Sequence, residues 1–374
     1  MSWVTRSAQS WVESLSPWPR EGFGLDRMRA LLALLDDPQL AYPSIHVVGT
    51  NGKTTTTRTI EETLRGEGLV TGAYTSPHVT GWQERIRVDG READFEGAVA
   101  RVRSPAEAVG ATQFEVLTAA ALAEFAAAGI EVAAVEAGLG GRHDATNVLR
   151  SPVQVLTNVA LEHTQVLGST REAIAGEKLA VVRPGSTVVL GEAEWEALAH
   201  ACGAGRVVVE TRGDRALAGA AAEAFLGRAV EAVEVELPGH LERRDGEIWD
   251  GAHTPEAVRY IGPRLPPIGA IVVSVLDDKD ATGILRALAE HASVLVATAS
   301  SNARAVPARV LAERARPYFE TVEAVEDPGA ALSRAHDLAA GAGAVLVTGS
   351  FYLLADLAAD VRSGHVPWAV PPRG

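Results

Sequence analysis

The sequence predicts an α/β protein of two domains: a larger N-terminal domain with a P-loop-type parallel sheet, and a smaller, Rossmann-like α/β C-terminal domain. Three observations lead to this fold class. Short Val- and Ile-rich segments alternate with Ala- and Leu-rich helical segments, as in βαβ units. A glycine-rich loop joins an early strand directly to a helix. The chain has 374 residues, more than one hydrophobic core usually serves.

The N-terminal alternation begins near residue 44. Apolar runs of four to seven residues predict strands at 44–48, 69–74, 132–136, 153–159 and 187–190. The stretches between them have helical composition and predict helices at 54–65, 113–128 and 171–181. The pattern is less regular after Gly191, where residues 216–226 predict one Ala-rich helix.

The alternation resumes after Leu237-Pro238-Gly239, which is typical of a turn. Strands are predicted at 247–250, 269–275, 293–298, 321–325 and 344–348, with helices at 281–290, 307–315 and 328–338. We therefore expect residues 1–240 to form the N-terminal domain and residues 241–374 the C-terminal domain.

Composition excludes several classes of protein. The chain has 34 basic and 48 acidic residues, a net charge of −14, which argues against binding to nucleic acid or to an anionic membrane. The single cysteine, Cys202, forms no internal disulfide and no cysteine metal cluster, as expected in a reducing cytoplasm. Residues 1–20 lack the apolar run of a signal peptide, and the apolar segments are too short to span a bilayer. We expect a cytoplasmic protein.

The sharpest local signal is residues 45–55, Ile-His-Val-Val-Gly-Thr-Asn-Gly-Lys-Thr-Thr. Gly49 and Gly52 let backbone N–H groups approach an anion, and the following helix N-terminus adds partial positive charge. Lys53 supplies a charge for the β- and γ-phosphates, and a threonine hydroxyl after it can ligate Mg²⁺. Val47 stands where the standard P-loop has its first glycine. The order of strand, loop and helix still favours nucleotide binding over a glycine turn with a surface lysine.

Three side chains further along have weaker signals. Glu136 ends an apolar strand beside a Gly-rich loop, where a carboxylate can hold Mg²⁺, although a solvated glutamate fits equally well. His163 follows the next strand and could ligate a metal, but a lone histidine is more often structural. Lys178 lies on a predicted helix, where the default interpretation is a solvated charged face.

Whole phrases of this sequence, in order, resemble the folylpolyglutamate synthase and dihydrofolate synthase family, within the Mur-type ligases. The likeness covers nearly the full chain and is most specific in residues 24–185. The N-terminal phrases are GLDRM at 24–28, GTNGK at 49–53, TSPH at 75–78, ERI at 84–86, TQFEVLT at 112–118, residues 136–147 and GEK at 176–178. The C-terminal phrases are DGAH at 250–253, DKD at 278–280, SNARA at 301–305 and TGSF at 348–351.

The resemblance implies how nucleotide and metal are held. The implied ATP contacts are Gly49, Thr50, Asn51, Gly52, Lys53, Thr54, Thr55, His240 and Asp250. Two Mg²⁺ ions are implied, held by Thr55, Glu136, His163 and a carbamylated Lys178. Thr55 is the preferred hydroxyl ligand, because family members usually have glycine at the position of Thr54. The implied catalytic residues are Lys53, Lys178 and His253.

The resemblance also implies the substrate contacts. The pterin-side and folate-loop positions are Gly24, Leu25, Asp26, Arg27, Ser76, Pro77, His78, Arg85, Thr112, Gln113, Phe114, Glu115, His143, Asp144 and Ala145. His253 and Ser350 match the side that receives glutamate. Relatives of this kind are often monomers, so we expect a monomer whose partners are its small-molecule substrates.

The implied activity is the ATP-dependent joining of L-glutamate to the carboxylate of dihydropteroate, of folates or of both. ATP would phosphorylate the carboxylate, and the glutamate amine would attack the resulting acyl phosphate. Several further positions differ from the family pattern: His240 replaces an arginine, Thr254 and Asp214 each replace an asparagine, and Glu162 replaces an aspartate. Two alternatives therefore stay open: a non-catalytic paralogue that binds nucleotide or folate, and a Mur-type ligase with another acceptor.

Overall fold

The structure, a computed structural model, describes residues 7–17, 19, 22–79 and 81–362. The contacts divide the chain into two compact units, Met1–Val235 and Glu236–Gly374. The sequence places the boundary slightly later, between residues 240 and 241. The segment 1–20, for which a signal peptide was not expected, lies partly outside the described residues. Within the described part of the chain, no helix combines the length and apolar character needed to cross a bilayer.

An eight-stranded sheet forms the centre of the first unit. Its order is β4-β3-β2-β5-β1-β6-β7-β8, and all neighbours are parallel except β2–β3 and β3–β4. The strands are β1 Ser44–Val48, β2 Thr71–Tyr74, β3 Ile86–Val88, β4 Arg91–Glu92, β5 Val132–Glu136, β6 Val153–Leu156, β7 Thr187–Leu190 and β8 Arg206–Val209.

Helices cover both faces of this sheet. Because side chains alternate along a strand, Ala133 and Val135 of β5 join one apolar cluster, while Val132 and Ala134 join another. The first cluster contains residues of the helices at 95–109 and 113–128, and the second contains residues of the helices at 53–66 and 214–226. The helices are α1 Ala8–Ser14, α2 Asp26–Ala33, α3 Lys53–Gly66, α4 Phe95–Val109, α5 Gln113–Ala128, α6 Thr164–Leu167, α7 Arg171–Leu179, α8 Glu196–Ala201 and α9 Asp214–Leu226.

The second unit has a six-stranded sheet of order β13-β12-β11-β14-β10-β9, in which only β9–β10 is antiparallel. Its strands are β9 Glu242–Arg244, β10 Glu247–Trp249, β11 Ile268–Val273, β12 Val294–Ala297, β13 Thr321–Ala324 and β14 Ala344–Thr348. Its helices are α10 Pro255–Ile261, α11 Ala281–Leu288, α12 Ala308–Ala315, α13 Pro328–Ala339 and α14 Phe351–Arg362.

The α/β fold class is confirmed, and both sheets are mixed because antiparallel strands lie at their edges. The sequence analysis predicted none of the strands β3, β4, β8 and β9 and none of the helices α1, α2, α4, α6, α8, α10 and α14. Strands β3 and β4 are short and carry charged residues, so they lack the apolar run that identified the buried strands. In the interior of the first sheet, Val47 of β1 is in register with Glu136 of β5, and Val48 with Leu156 of β6. The carboxyl ends of these three strands therefore meet at one edge.

Candidate active site

A glycine loop connects β1 to α3 at this edge. Gly52 has a left-handed backbone, with φ of 76°, immediately before the first helical residue, Lys53. A Cβ atom on Gly49 would overlap the hydroxyl of Thr157, so only glycine fits there. The sequence thus forms the strand, loop and helix N-terminus that binding of a phosphate requires.

The end of β6 holds this loop in place. The Thr50 amide donates to the Asn158 carbonyl at 2.9 Å, and the Asn51 amide donates to the Asn158 side-chain oxygen at 3.1 Å. The Thr157 hydroxyl and the Asn158 Nδ2 both donate to the Asn51 carbonyl, at 2.7 and 2.9 Å. The sequence analysis did not select Thr157 or Asn158. Their position at the carboxyl end of a buried strand is the signal that could have identified them.

Two lysines lie against carbonyl oxygens of the loop. Lys53 Nζ donates to Thr50 O at 3.1 Å, and the buried Lys178 Nζ donates to Gly49 O at 2.6 Å. Burial, and secondly the charge of Lys53, lowers the pKa of Lys178 from 10.5 to about 7. Lys53 therefore supplies the positive charge at the loop, and this environment fits a nucleotide phosphate.

Glu136, at the end of β5, is buried. The Thr54 hydroxyl lies 3.1 Å from its Oε1 and 3.0 Å from its Oε2, and the Ser76 amide donates to Oε2 at 3.1 Å. Burial raises the pKa of Glu136 from 4.5 to about 7, partly offset by the charge of Lys53. Carboxylate and hydroxyl oxygens are the hard donors that Mg²⁺ prefers, so the donor set fits this ion. The half-buried Thr55 is the next residue of α3.

His163 lies in the loop before α6, in a left-handed conformation with φ of 50°. Its side chain is 42% exposed, and its Nε2 is 3.5 Å from Glu162 Oε1. The charge of Glu162 also acts on Lys178, where it opposes the lowering of the pKa. Across residues 7–17, 19, 22–79 and 81–362, no three His, Cys, Asp or Glu side chains group closely enough to hold a metal ion. A metal here would need oxygen ligands from other sources.

The loop after β2 carries the predicted folate-side residues Ser76, Pro77 and His78. Arg85 Nε donates to His78 Nδ1 at 2.8 Å, and both side chains lie near the Trp82 ring, at 5.0 and 4.4 Å respectively. Burial, and then the charge of Arg85, lowers the pKa of His78 to about 2. His78 is therefore neutral, which allows its ring nitrogen to accept the hydrogen bond from the guanidinium.

The predicted pterin-side residues on α2 and α5 contact one another. Arg27 Nε is 2.7 Å from Glu115 Oε2, and this carboxylate also accepts from the amide and hydroxyl of Thr112. Glu115 therefore completes the capping box of α5 and joins α5 to α2. The nearby Phe114 ring lies 6.1 Å from the Tyr74 ring.

The remaining predicted pterin-side residues of these elements differ in exposure. Gly24 and Asp26 are exposed, and Leu25 is half-buried. Gln113 Nε2 donates to Val12 O at 3.0 Å.

The Gly-rich loop after Glu136 is organised by Asp144. The buried Asp144 carboxylate accepts from the Leu139 amide at 2.8 Å and from the Thr146 amide at 3.0 Å, and burial raises its pKa. A Cβ atom on Gly141 would approach the Lys178 carbonyl to 2.5 Å, so this loop packs directly on α7. The neighbouring His143 is exposed and Ala145 is buried. Asp144 shapes the loop, and the exposed His143 stays a predicted substrate contact.

In the second unit, Asp250 holds the turn that carries His240. Its buried carboxylate accepts from the amides of Leu241 and Ala252, both at 2.8 Å, and burial raises its pKa to about 6. The rings of His240 and His253 lie 5.6 and 6.0 Å from the Phe351 ring.

Two further predicted positions in this unit have local backbone roles. Thr254 caps α10 by accepting from the Ala257 amide at 3.1 Å, a role that the expected asparagine also performs. The hydroxyl of the buried Ser350 accepts from the Tyr352 amide at 3.1 Å.

Comparison with known proteins identifies the family. The Mur ligase middle domain matches residues 47–197, and the Mur ligase glutamate ligase domain matches residues 241–351. The dihydrofolate synthase/folylpolyglutamate synthase of Mycobacterium tuberculosis is 32% identical over 81% of this chain and 80% of that protein. The chain belongs to the folylpolyglutamate synthase/dihydrofolate synthase family. The Escherichia coli protein of the same name is 31% identical over 89% of this chain and 90% of that protein.

Solved structures of the folylpolyglutamate synthase/dihydrofolate synthase family match the whole fold. Escherichia coli FolC in complex with DHPP and ADP has a TM-score of 0.85 and 29% identity, covering 97% of this chain and 99% of that chain. The bifunctional Yersinia pestis enzyme complexed with AMPPNP and Mn ion has a TM-score of 0.84 and 28% identity, covering 97% and 100%. The resemblance stated from the sequence is confirmed. The roles of individual site residues stay predictions.

Proposed function

We propose that this chain is an ATP-dependent ligase that joins L-glutamate to the carboxylate of dihydropteroate, of folates or of both, within folate biosynthesis. The observation that carries the proposal is the arrangement at one edge of the first sheet. There Lys53, Lys178 and Glu136 surround a glycine loop that is held by Asn158. Family membership provides the reaction class, and this arrangement provides the charges that the class needs.

The chemistry requires activation of a carboxylate. A carboxylate does not condense with an amine unaided, so transfer of the γ-phosphoryl group of ATP would form an acyl phosphate that the glutamate amine attacks. The task of the protein in such a transfer is positioning and stabilisation of charge. Lys53 and the loop amides would bind the phosphates, and Arg85 beside the Ser76 loop would contribute positive charge on the substrate side.

The metal is proposed to bind at Glu136. Relatives have been solved with ADP, and in one case with AMPPNP and a Mn ion. In this chain Glu136, His163 and the hydroxyl of Thr55 would hold Mg²⁺, which supplies neutralisation of phosphate charge when bound.

Carbamylation of Lys178 would provide a further oxygen ligand. The neutral amine is the form that reacts with CO₂, giving a carbamate and releasing one proton. A pKa of about 7 keeps much of Lys178 neutral at physiological pH. The product is an anion at a buried position near Lys53. Incubation with ¹³C-labelled bicarbonate should give a carbamate carbon resonance in wild type that is missing in Lys178→Met. No such resonance in wild type would contradict the carbamylation.

The activity is tested by ADP release with ATP, Mg²⁺, dihydropteroate and L-glutamate, with each omitted in turn. We expect release only when both organic substrates are present, and loss of release in Lys53→Ala. Tetrahydrofolate in place of dihydropteroate defines the acceptor range. If no ADP is released with either dihydropteroate or tetrahydrofolate, in protein that still binds ATP, this result would contradict the ligase and favour the non-catalytic alternative. Release with a cell-wall precursor only would favour a Mur-type ligase with another acceptor.

The non-catalytic alternative rests on three departures from the family pattern: His240, Thr254 and Asp214. The His240 ring packs near Phe351, at a position where the family pattern has an arginine. Against it stands the retention of Lys53, Glu136, His163 and Lys178 together.

We also propose that the protein acts as a monomer in the cytoplasm. Size-exclusion chromatography coupled to light scattering measures the oligomeric state, and the mass of a dimer would contradict the monomer.

A further inference from the structure

Thr54 makes a contact that its place in the phosphate loop does not require. Its hydroxyl lies within hydrogen-bonding distance of both carboxylate oxygens of Glu136, at 3.1 and 3.0 Å. Thr54 is in the first turn of α3, whereas Glu136 ends β5, and the two are 82 positions apart in the sequence. An ionised carboxylate only accepts hydrogen bonds, so the threonine hydroxyl is the donor.

The contact is one of two that restrain the Glu136 carboxylate. The Ser76 amide also donates to Oε2, at 3.1 Å, and the Glu136 side chain is buried. Donors from two separate elements therefore restrict the rotation of this carboxylate. Groups that hydrogen-bond to a metal ligand commonly orient it and change metal affinity.

We propose that Thr54 is a positioning residue that holds the Glu136 carboxylate ready for the divalent cation and acts only through Glu136. This inference rests on the proposed function, which places the cation at Glu136. It gives the two adjacent threonines different roles: Thr54 would orient the carboxylate, and Thr55 remains the proposed hydroxyl ligand of the cation. The family pattern, with glycine at position 54, has no side chain that could make this contact.

The test measures binding of Mn²⁺ to the full chain in the presence of ADP, by electron paramagnetic resonance. Thr54→Val keeps the shape and removes the hydroxyl, while Thr54→Ser keeps the hydroxyl. We expect Thr54→Val to weaken Mn²⁺ binding by about 10- to 100-fold, the usual cost of removing a partner of a metal ligand. Thr54→Ser should stay close to wild type. Metal-free ADP binding is measured in parallel, and Mn²⁺ affinity is compared at an ADP concentration that saturates each variant, so that any change in nucleotide binding is separated from the loss of metal.

A double-mutant cycle with Glu136→Gln separates positioning from direct ligation. If Thr54 acts through Glu136, adding Thr54→Val to Glu136→Gln causes no further loss. A full additional loss would mean that Thr54 ligates the cation itself, and would overturn the inference. Normal Mn²⁺ affinity in Thr54→Val together with weakened affinity in Glu136→Gln would overturn it too, and leave the proposed function intact. Normal affinity in Glu136→Gln would instead contradict the proposed metal site.

Discussion

Lys178 donates a hydrogen bond from its buried side-chain nitrogen to the carbonyl oxygen of Gly49, at a distance of 2.6 Å. The bond joins helix α7 to the phosphate loop across 129 positions of sequence. The lysine is buried beside a second lysine, so its charged form is disfavoured. The hydrogen bond therefore couples the ionisation of the Lys178 side chain to the geometry of the phosphate loop.

The pKa of Lys178 makes stability depend on pH. Its folded pKa of about 7 lies below the ordinary value of 10.5, so between these values the unfolded chain binds more protons and stability rises with pH. Lys178→Met removes this penalty. We expect the variant to gain unfolding free energy over wild type at about pH 6, and to lose most of that advantage at about pH 10. Urea unfolding of the metal-free protein in CO₂-free buffer measures both. An advantage that grows with pH would contradict the lowered pKa.

Glu136 is predicted to destabilise the metal-free protein at neutral pH. Its folded pKa of about 7 lies above the ordinary 4.5, so the folded state binds the proton more tightly, and stability falls as pH rises between these values. Glu136→Gln should therefore be more stable than wild type at about pH 8 in EDTA and equal to it at about pH 4. The same variant should have lost ligase activity. Equal stability at both pH values would show that burial does not raise this pKa.

Removal of the Asn158 side chain should weaken nucleotide binding without unfolding the first unit. The half-buried Asn51 amide would lose its acceptor, and an unsatisfied group costs about 1–3 kcal/mol, which corresponds to about 5- to 150-fold in affinity. Titration calorimetry with ADP measures the effect in Asn158→Ala. Ser333→Ala, which changes an exposed serine of α13, is the matched control. Unchanged ADP affinity in Asn158→Ala would show that the loop holds its shape without Asn158.

Restoring the family residue at position 240 should improve the use of ATP. Arginine always carries its charge, and a charge-assisted hydrogen bond contributes about 1.5–3 kcal/mol. His240→Arg should lower the KM for ATP by about 10- to 150-fold, with a smaller effect on the KM for glutamate. His240→Ala, which removes the contact with Phe351 without adding charge, is the control. If both variants change the KM for ATP equally, the packing near Phe351 matters and the charge does not.

The sequence predicted the buried strands of both sheets, because their Val- and Ile-rich runs differ sharply from their surroundings. It did not predict β3 and β4, since these short strands carry arginine and glutamate and have few buried positions. It also did not select Thr157 and Asn158, which carry no charge and stand in no glycine motif. Their role depends on hydrogen bonds to the phosphate loop, formed more than a hundred positions away in the chain.

The sequence by itself determined the fold class, the phosphate loop and the family, because each depends on residues that are adjacent or follow a repeated order. Strand, glycine loop, Lys53 and helix form one continuous segment whose chemistry is local. Only the tertiary structure decided that Thr54 contacts Glu136 and that Lys178 contacts Gly49. These pairs meet because parallel strands end at the same edge of the sheet and α7 packs beside it. Burial there, which no local pattern contains, moves the pKa values of Glu136 and Lys178 towards 7.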